Sequence, residues 1–293
     1  MSAAQIWAGT TFGNGWMHKH LIRSLRFIDV RFHYVFAAVF VIPVCLLVTP
    51  GTRHQFSFLH RRLGFGIFKS MCLTYVNFCK FSQVVLDRFA MYAGQHIDVD
   101  VIGQESFSRL ASAPEGFVIL SSHIGNYELA GYSLVSDRKP IHAVVYAGEK
   151  ASIMEGRSDM FARTRNLMIP VREDMSHLFE IDGALSDGDI VSMPADRGVN
   201  GGRTVRHGFL GADASFPQGP FSVAAMRGLD VLAVNVLKDK SKHYNIHVTQ
   251  LQYDRTKPRK EQVAQLCGAY VAELERIIKI YPTQWYNYFD FWK

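Results

Sequence analysis

Residues 116–128 read Gly116-Phe117-Val118-Ile119-Leu120-Ser121-Ser122-His123-Ile124-Gly125-Asn126-Tyr127-Glu128. A histidine five residues ahead of a glutamate supplies a base and a carboxylate able to hold it. The imidazole takes a proton from a hydroxyl. The carboxylate fixes the ring tautomer and stabilises the imidazolium, the service an aspartate performs in a hydrolase triad. No nucleophilic serine is needed, because a hydroxyl deprotonated in this way can itself attack an electrophilic carbon. The bare spacing is weak, since a lone histidine at a strand end is more often structural. Context strengthens it. An apolar run delivers two serines and then His123, Gly125 permits a sharp turn, and Asn126 suits a helix N-cap. Glu128 then falls in the first helical turn, where the helix dipole favours its ionised form.

Two further stretches carry polar chemistry. Pro194-Ala195-Asp196-Arg197 follows a short apolar strand. If that strand lies parallel beside residues 117–121, it delivers Asp196 and Arg197 close to where His123 emerges, at the carboxyl ends of the strands where ligands gather in open α/β sheets. Arg197 offers a fixed charge and a planar fork for a phosphate or carboxylate, or else pairs with Asp196. Arg165 and Arg172 are further basic candidates, with plain solvation as their default. In residues 209–220, Gly211 and Gly219 allow close backbone approach, and Gly219-Pro220 can open a helix whose unpaired amides favour an anion or a developing oxyanion. A structural turn is the competing reading. No G-x-S-x-G, H-E-x-x-H, P-loop or G-x-G-x-x-G occurs, so nothing calls for a hydrolase elbow, a metal or a nucleotide cofactor.

The elements that must position these groups divide the chain near residue 95. Residues 1–95 hold ten Lys/Arg against Asp29 and Asp87, a charge of +8, together with 12 of the 21 Phe; the whole chain of 293 residues carries +6. Basic and Phe-rich together suit an anionic membrane surface better than nucleic acid, whose binding arms are polar. The longest apolar run, Tyr34–Val48, is short for a full span, is flanked by basic residues on both sides and contains Pro43, so a monotopic or re-entrant segment bent at Pro43 is expected. Amphipathic helices are expected over 61–92. After residue 96, β-branched runs at 117–121, 141–146, 190–193, 231–237 and 244–251 alternate with helical stretches near 127–135, 149–166, 176–187, 219–228 and 259–280. That alternation predicts an α/β fold with a central mostly parallel sheet flanked by helices, behind an N-terminal membrane-associating helical segment. The four cysteines form no C-x-x-C pair, and no apolar h-region precedes residue 30; a reduced, cytosol-facing location without a cleavable signal peptide is expected.

Ser122-His123 with Asn126 and Glu128 resembles the His-x4-acid motif of the lysophospholipid acyltransferase superfamily, and within it the bacterial late acyltransferases of lipid A. The Asp196-Arg197 pair, the block Phe209-Leu210-Gly211 to Phe216-Pro217-Gln218-Gly219-Pro220 and the aromatic close from Tyr281-Pro282 through Trp285 resemble further blocks of that family in the same order. Gln218 stands where the glycerolipid branch has glutamate, and the close lacks the basic ending of the lipid A enzymes, which marks a divergent subgroup. The resemblance implies acyl transfer from an acyl-carrier-protein or acyl-CoA thioester to a hydroxyl or amine of a lipid or glycolipid, at the cytoplasmic face of a bacterial inner membrane. It implies His123 as general base with Glu128 as its orienting partner, and Ser122, Asn126, Asp196, Arg197, Phe209, Gly211, Pro217, Gln218 and Gly219 as substrate-binding residues, with no cofactor. A thioester or ester hydrolase using the same His/Glu pair and a non-catalytic membrane scaffold are the alternatives. The C-terminal aromatics suit either a lipid interface or core packing.

Overall fold

The computed structural model describes residues 15–146, 151–164, 166–198 and 202–292. The chain opens with α1 (Gly15–Leu25) and α2 (Val30–Phe36), which passes through π turns at Ala37–Val41 into α3 (Ile42–Val48). Helical turns are therefore unbroken for 19 residues, Val30–Val48, about 28 Å at the usual rise. The hairpin expected at Pro43 is not formed. Pro43 sits in the first turn of α3, directly after the π turns, where a wider hydrogen-bond spacing accommodates its missing amide. The chain leaves the helix at Thr49, whose backbone is extended, as a residue before proline prefers. Then come α4 (Gly51–Ser57), π turns at Phe58–Arg62 and the long α5 (Ile67–Tyr92).

The first half of α5 is inverted relative to a soluble helix. Ser70, Thr74 and Asn77 are buried, whereas Ile67, Phe68 and Met71 are exposed. Phe32, Phe36, Phe40, Leu47 and Val48 are likewise exposed. Large apolar side chains thus face outward and small polar ones inward. The second half of α5 returns to ordinary packing: Val84 and Met91 join the core under the sheet. There Asp87 accepts from Tyr34 Oη of α2 and pairs with Lys238 Nζ at 2.5 Å, all three groups buried.

The remainder runs β1 (Asp98–Ile102), α6 (Gln104–Ser112), β2 (Phe117–Gly125), α7 (Tyr127–Ser133), β3 (Ile141–Tyr146), α8 (Ala151–Thr164), β4 (Leu167–Val171), α9 (His177–Ser186), β5 (Ile190–Pro194), β6 (Thr204–Phe209), β7 (Ala212–Pro217), α10 (Gln218–Arg227), β8 (Val231–Lys240), β9 (His243–Leu251) and α11 (Arg259–Ile280). Among the described residues, seven strands form one sheet in the order β1-β9-β8-β2-β5-β3-β4, with β6 and β7 apart as a hairpin. Every neighbouring pair in the large sheet is parallel except β8 and β9. β2 is central and almost wholly buried, as a parallel strand covered on both faces must be. Its side chains alternate between two cores. Val118 and Leu120 face the cluster that includes α10 and α11, and Phe117 and Ile119 face the cluster that includes α6 and the end of α5.

The aromatic close belongs to the interior. Trp285, Tyr286 and Phe291 are buried, and Trp285 meets Phe58, Phe209 and Phe291 edge-on. The core-packing reading of these rings is the one realised, without a final strand beyond a single bridge from Trp285 to Ile124.

Candidate active site

β2 and β5 are parallel neighbours in register Ser121 to Pro194, so both chains leave the sheet at the same edge, one with His123 and the other with Asp196. Asp196 is buried and holds the histidine twice: His123 Nδ1 lies 2.8 Å from Asp196 Oδ1, and the His123 backbone amide donates to Oδ2 at 2.9 Å. The His123 side chain retains 19% of its exposure, so the ring borders solvent while its partner does not. Tyr127, at the start of α7, presents an edge to the ring with centroids 5.2 Å apart. Burial and the charge of Arg197 hold the His123 pKa below its ordinary value against the opposing pull of Asp196. Burial raises the Asp196 pKa, but His123, its hydrogen bonds and Arg197 outweigh burial and leave it below the usual carboxylate range. An ionised Asp196 accepts a proton-bearing Nδ1 and thereby selects the tautomer whose Nε2 is basic.

Glu128 occupies a different place from the one expected. Its carboxylate lies between Arg88 Nε of α5, at 2.9 Å, and Arg157 Nη2 of α8. All three are buried. Burial works to raise the Glu128 pKa, and the two arginines more than offset it. The carboxylate seated on His123 Nδ1 is thus that of Asp196. Two guanidinium groups account for the position of Glu128, in place of the expected contact with the histidine.

The other expected residues divide into supporting and peripheral positions. Ser122 is buried and donates to Asn235 Oδ1 of β8 at 2.8 Å, which fixes the strand end. Asn126 precedes α7 but makes no side-chain cap bond; its backbone amide goes to Val236 O at 2.8 Å, and its buried side-chain amide has no hydrogen-bond partner among the described residues. Arg197 is half-buried; its Nη2 donates to Tyr286 O at 2.5 Å and its guanidinium lies over the Phe289 ring. Phe209 is fully buried in the aromatic cluster with Phe216, Trp285 and Trp292, so its surroundings are core. Residues 209–217 form most of the β6–β7 hairpin. Leu210 and Gly211 make its two-residue turn, with φ of 48° and 79° between the paired Phe209 and Ala212, the left-handed pair a type I′ hairpin requires. Pro217 caps α10 and lies 3.5 Å from where a Cβ on Gly198 would stand, so the block borders the turn that carries Arg197. The Gln218 amide is taken by Arg203 O, and Gly219 is exposed in the first turn of α10. Arg172 pairs with Glu180 on the surface, and Arg165 lies outside the described residues.

The turn expected at Gly125 and a C-terminal segment complete the site. Gly125, with φ of 58°, turns the chain so closely against β8 that a Cβ would stand 1.8 Å from Val236 O. There the Gly125 amide donates to Gln284 O, and the Tyr286 amide to His123 O. A strap at 283–286 thus lies along the His123 loop. Nothing in the sequence singled out Arg88 or Arg157, and the strap stood out only as part of the aromatic close from Tyr281-Pro282 through Trp285.

A family described as bacterial lipid A biosynthesis acyltransferase matches residues 86–293. Among solved structures, the chain is similar to the 1-acyl-sn-glycerophosphate (LPA) acyltransferase PlsC from Thermotoga maritima, with 14% identity and a TM-score of 0.39, covering 89% of this chain and 98% of that one. No curated protein matches. The family match takes in the His123 loop, the Asp196-Arg197 turn, the hairpin and the strap together, and the chain belongs to the bacterial lipid A biosynthesis acyltransferase family, as an acyltransferase that acts on a lipid acceptor.

Proposed function

We propose that this chain is a membrane-bound enzyme that moves a fatty acyl group from a thioester, carried by acyl carrier protein or coenzyme A, to a hydroxyl of a membrane lipid or glycolipid, with His123 as general base oriented by Asp196. The observation that carries this reading is the double hold of Asp196 on His123 at the sheet edge. His123 Nε2 takes the proton of the acceptor hydroxyl as that oxygen bonds to the thioester carbonyl carbon. The tetrahedral intermediate collapses with cleavage of the C–S bond, and the proton on Nε2 passes to the departing thiolate. Asp196 stays ionised throughout and stabilises the transient imidazolium. Glu128 serves by holding Arg88 and Arg157 in the interior beside α7. An amine acceptor would follow the same course.

The membrane part of this reading is supported by the exposed apolar faces of Val30–Val48 and of the first half of α5 and by the basic residues around them. Immersed in a bilayer, these faces bring the chain to its acceptor at the cytoplasmic face of the inner membrane. The basic charge also favours an acidic acyl carrier protein as donor and suits an anionic lipid surface. Replacement of His123 by alanine tests the base. Transfer of a radiolabelled acyl group from thioester to lipid should fall roughly 10²–10⁴-fold, with circular dichroism unchanged. Near-normal transfer by the folded variant would remove His123 from catalysis.

A further inference from the structure

The strap at 283–286 spends its four consecutive carbonyls on two different neighbours. Asn77 Nδ2, on α5, donates to Thr283 O and to Trp285 O, each at 3.0 Å. The carbonyls between and after these go to the catalytic side: Gln284 O accepts from the Gly125 amide at 2.8 Å, and Tyr286 O accepts from Arg197. One edge of the strap is therefore fastened to α5 and the other to the end of β2 that carries His123, where the Tyr286 amide also donates to His123 O at 3.3 Å. The Gln284 side chain pins the strap to β8, accepting from the Lys238 amide and donating to Lys238 O, both at 2.8 Å.

Asn77 is fully buried, and its orientation is fixed, because its Oδ1 accepts from Tyr288 Oη at 2.9 Å while its amide makes both strap bonds. No isosteric replacement keeps that set; aspartate would turn a carboxylate oxygen onto two carbonyls. Asn77 also stands at the end of the inward polar row Ser70, Thr74, Asn77, on the same helix whose opposite face is exposed and apolar. We propose that Asn77 is a positioning residue for acyl transfer: through the strap it sets His123 and Arg197, and so makes α5 part of the catalytic apparatus as well as of the apolar surface. This rests on the reading of His123 as base.

A loosened strap would leave a signature at His123. The ring is faced by Asp196 and Arg197 from the end of β5 and by Tyr127 from α7, with the strap backbone along its loop. Slackening admits water and releases Arg197 from Tyr286, and both changes favour the protonated ring. The acid limb of the rate profile, where the base becomes protonated, then moves to higher pH.

The test uses the full chain in detergent micelles, a radiolabelled dodecanoyl thioester of acyl carrier protein as donor and total lipid from the producing cells' membranes as acceptor, with Asn77→Asp, Tyr288→Phe and His123→Ala assayed side by side. For Asn77→Asp, kcat per folded enzyme should fall about tenfold or more, with the donor KM within about twofold and the acid limb displaced upward. Tyr288→Phe, which leaves the fold intact and only unlatches the Asn77 carbonyl, should move kcat and the limb in the same direction by less, and it decides the matter if Asn77→Asp does not fold. Wild-type kcat and an unmoved limb in the folded variants, with only a lowered melting temperature, would overturn the proposal. His123→Ala separates the two levels: an active His123→Ala enzyme overturns the base itself, whereas an inactive one beside wild-type-like Asn77 and Tyr288 variants overturns the role of Asn77 alone.

Discussion

At the scale of single residues, the protonation of His123 is set by a carboxylate and a guanidinium acting in opposite directions. Burial and Arg197 lower its pKa, and Asp196 raises it. A general base must be neutral, so the role proposed for His123 predicts that activity rises with pH as the ring loses its proton, with this acid limb below the ordinary histidine value of about 6.5. Removing the charge in Arg197→Gln should shift the limb to higher pH, while Arg197→Lys, which keeps the charge but not its anchor on Tyr286, should shift it less. Both variants lose the bond to Tyr286 O and the planar contact with Phe289, so both should melt at lower temperature. A pH–rate profile recorded beside a thermal melt checks each part, and an unmoved limb in Arg197→Gln would detach Arg197 from the histidine. The expectation of Arg197 as an anion fork rests on its residue type alone. That its fork closes on a backbone carbonyl 89 residues away is a consequence of the fold, which no local pattern carries.

At the scale of elements, Gly125 decides where β2 stops. Its positive φ and the 1.8 Å approach of a hypothetical Cβ to Val236 O mean that Gly125→Ala must push β2 and β8 apart just beyond His123. We expect a loss of several kcal/mol in stability, the range for backbone strain combined with a steric clash, and a loss of transfer in whatever fraction folds. A melting temperature equal to wild type would show that the loop relaxes freely. The buried strands and the helices between them were legible because their apolar runs are continuous and their helical stretches periodic: β2, β3, β5, β8, β9 and α7 to α11 lie close to where the sequence places them. β1 and β4 were not. Asp98 and Asp100 interrupt one, Pro170 sits in the other, and both are edge strands, where polar residues and proline are tolerated. The hairpin at 204–217 hid behind its glycines, and Leu210, a bulky residue at positive φ, gave no turn signal. The site was legible as far as His123 and the turn at Asp196. The choice of Asp196 over Glu128 as the histidine's partner required the register of β2 on β5 and the burial of Arg88 and Arg157.

For the whole molecule, the question is what covers the apolar face of the N-terminal helices. Phe27, Phe32, Phe68 and Leu47 are each at least 72% exposed, large apolar side chains of the kind that water-soluble monomers mostly bury. The expected outcome is sedimentation with membranes, weakened only partly by high salt, because screening removes the attraction of the basic residues but not the burial of apolar surface. Replacing Phe32, Phe36 and Phe40 by serine should release a large share of the protein into the soluble fraction without lowering its melting temperature. Complete release of the unaltered protein by salt alone would contradict an inserted face. Which carboxylate serves His123 is read directly by one comparison: the single-turnover rate of acyl transfer for Asp196→Asn against Glu128→Gln, each corrected for its folded fraction. Glu128→Gln leaves two buried arginines without their anion and should lose about 3–5 kcal/mol of stability, with a modest fall in rate. Asp196→Asn presents the wrong hydrogen-bonding partner to Nδ1 and should lose about 10⁴-fold in rate while remaining folded. A rate that collapses for Glu128→Gln and persists for Asp196→Asn would contradict the account.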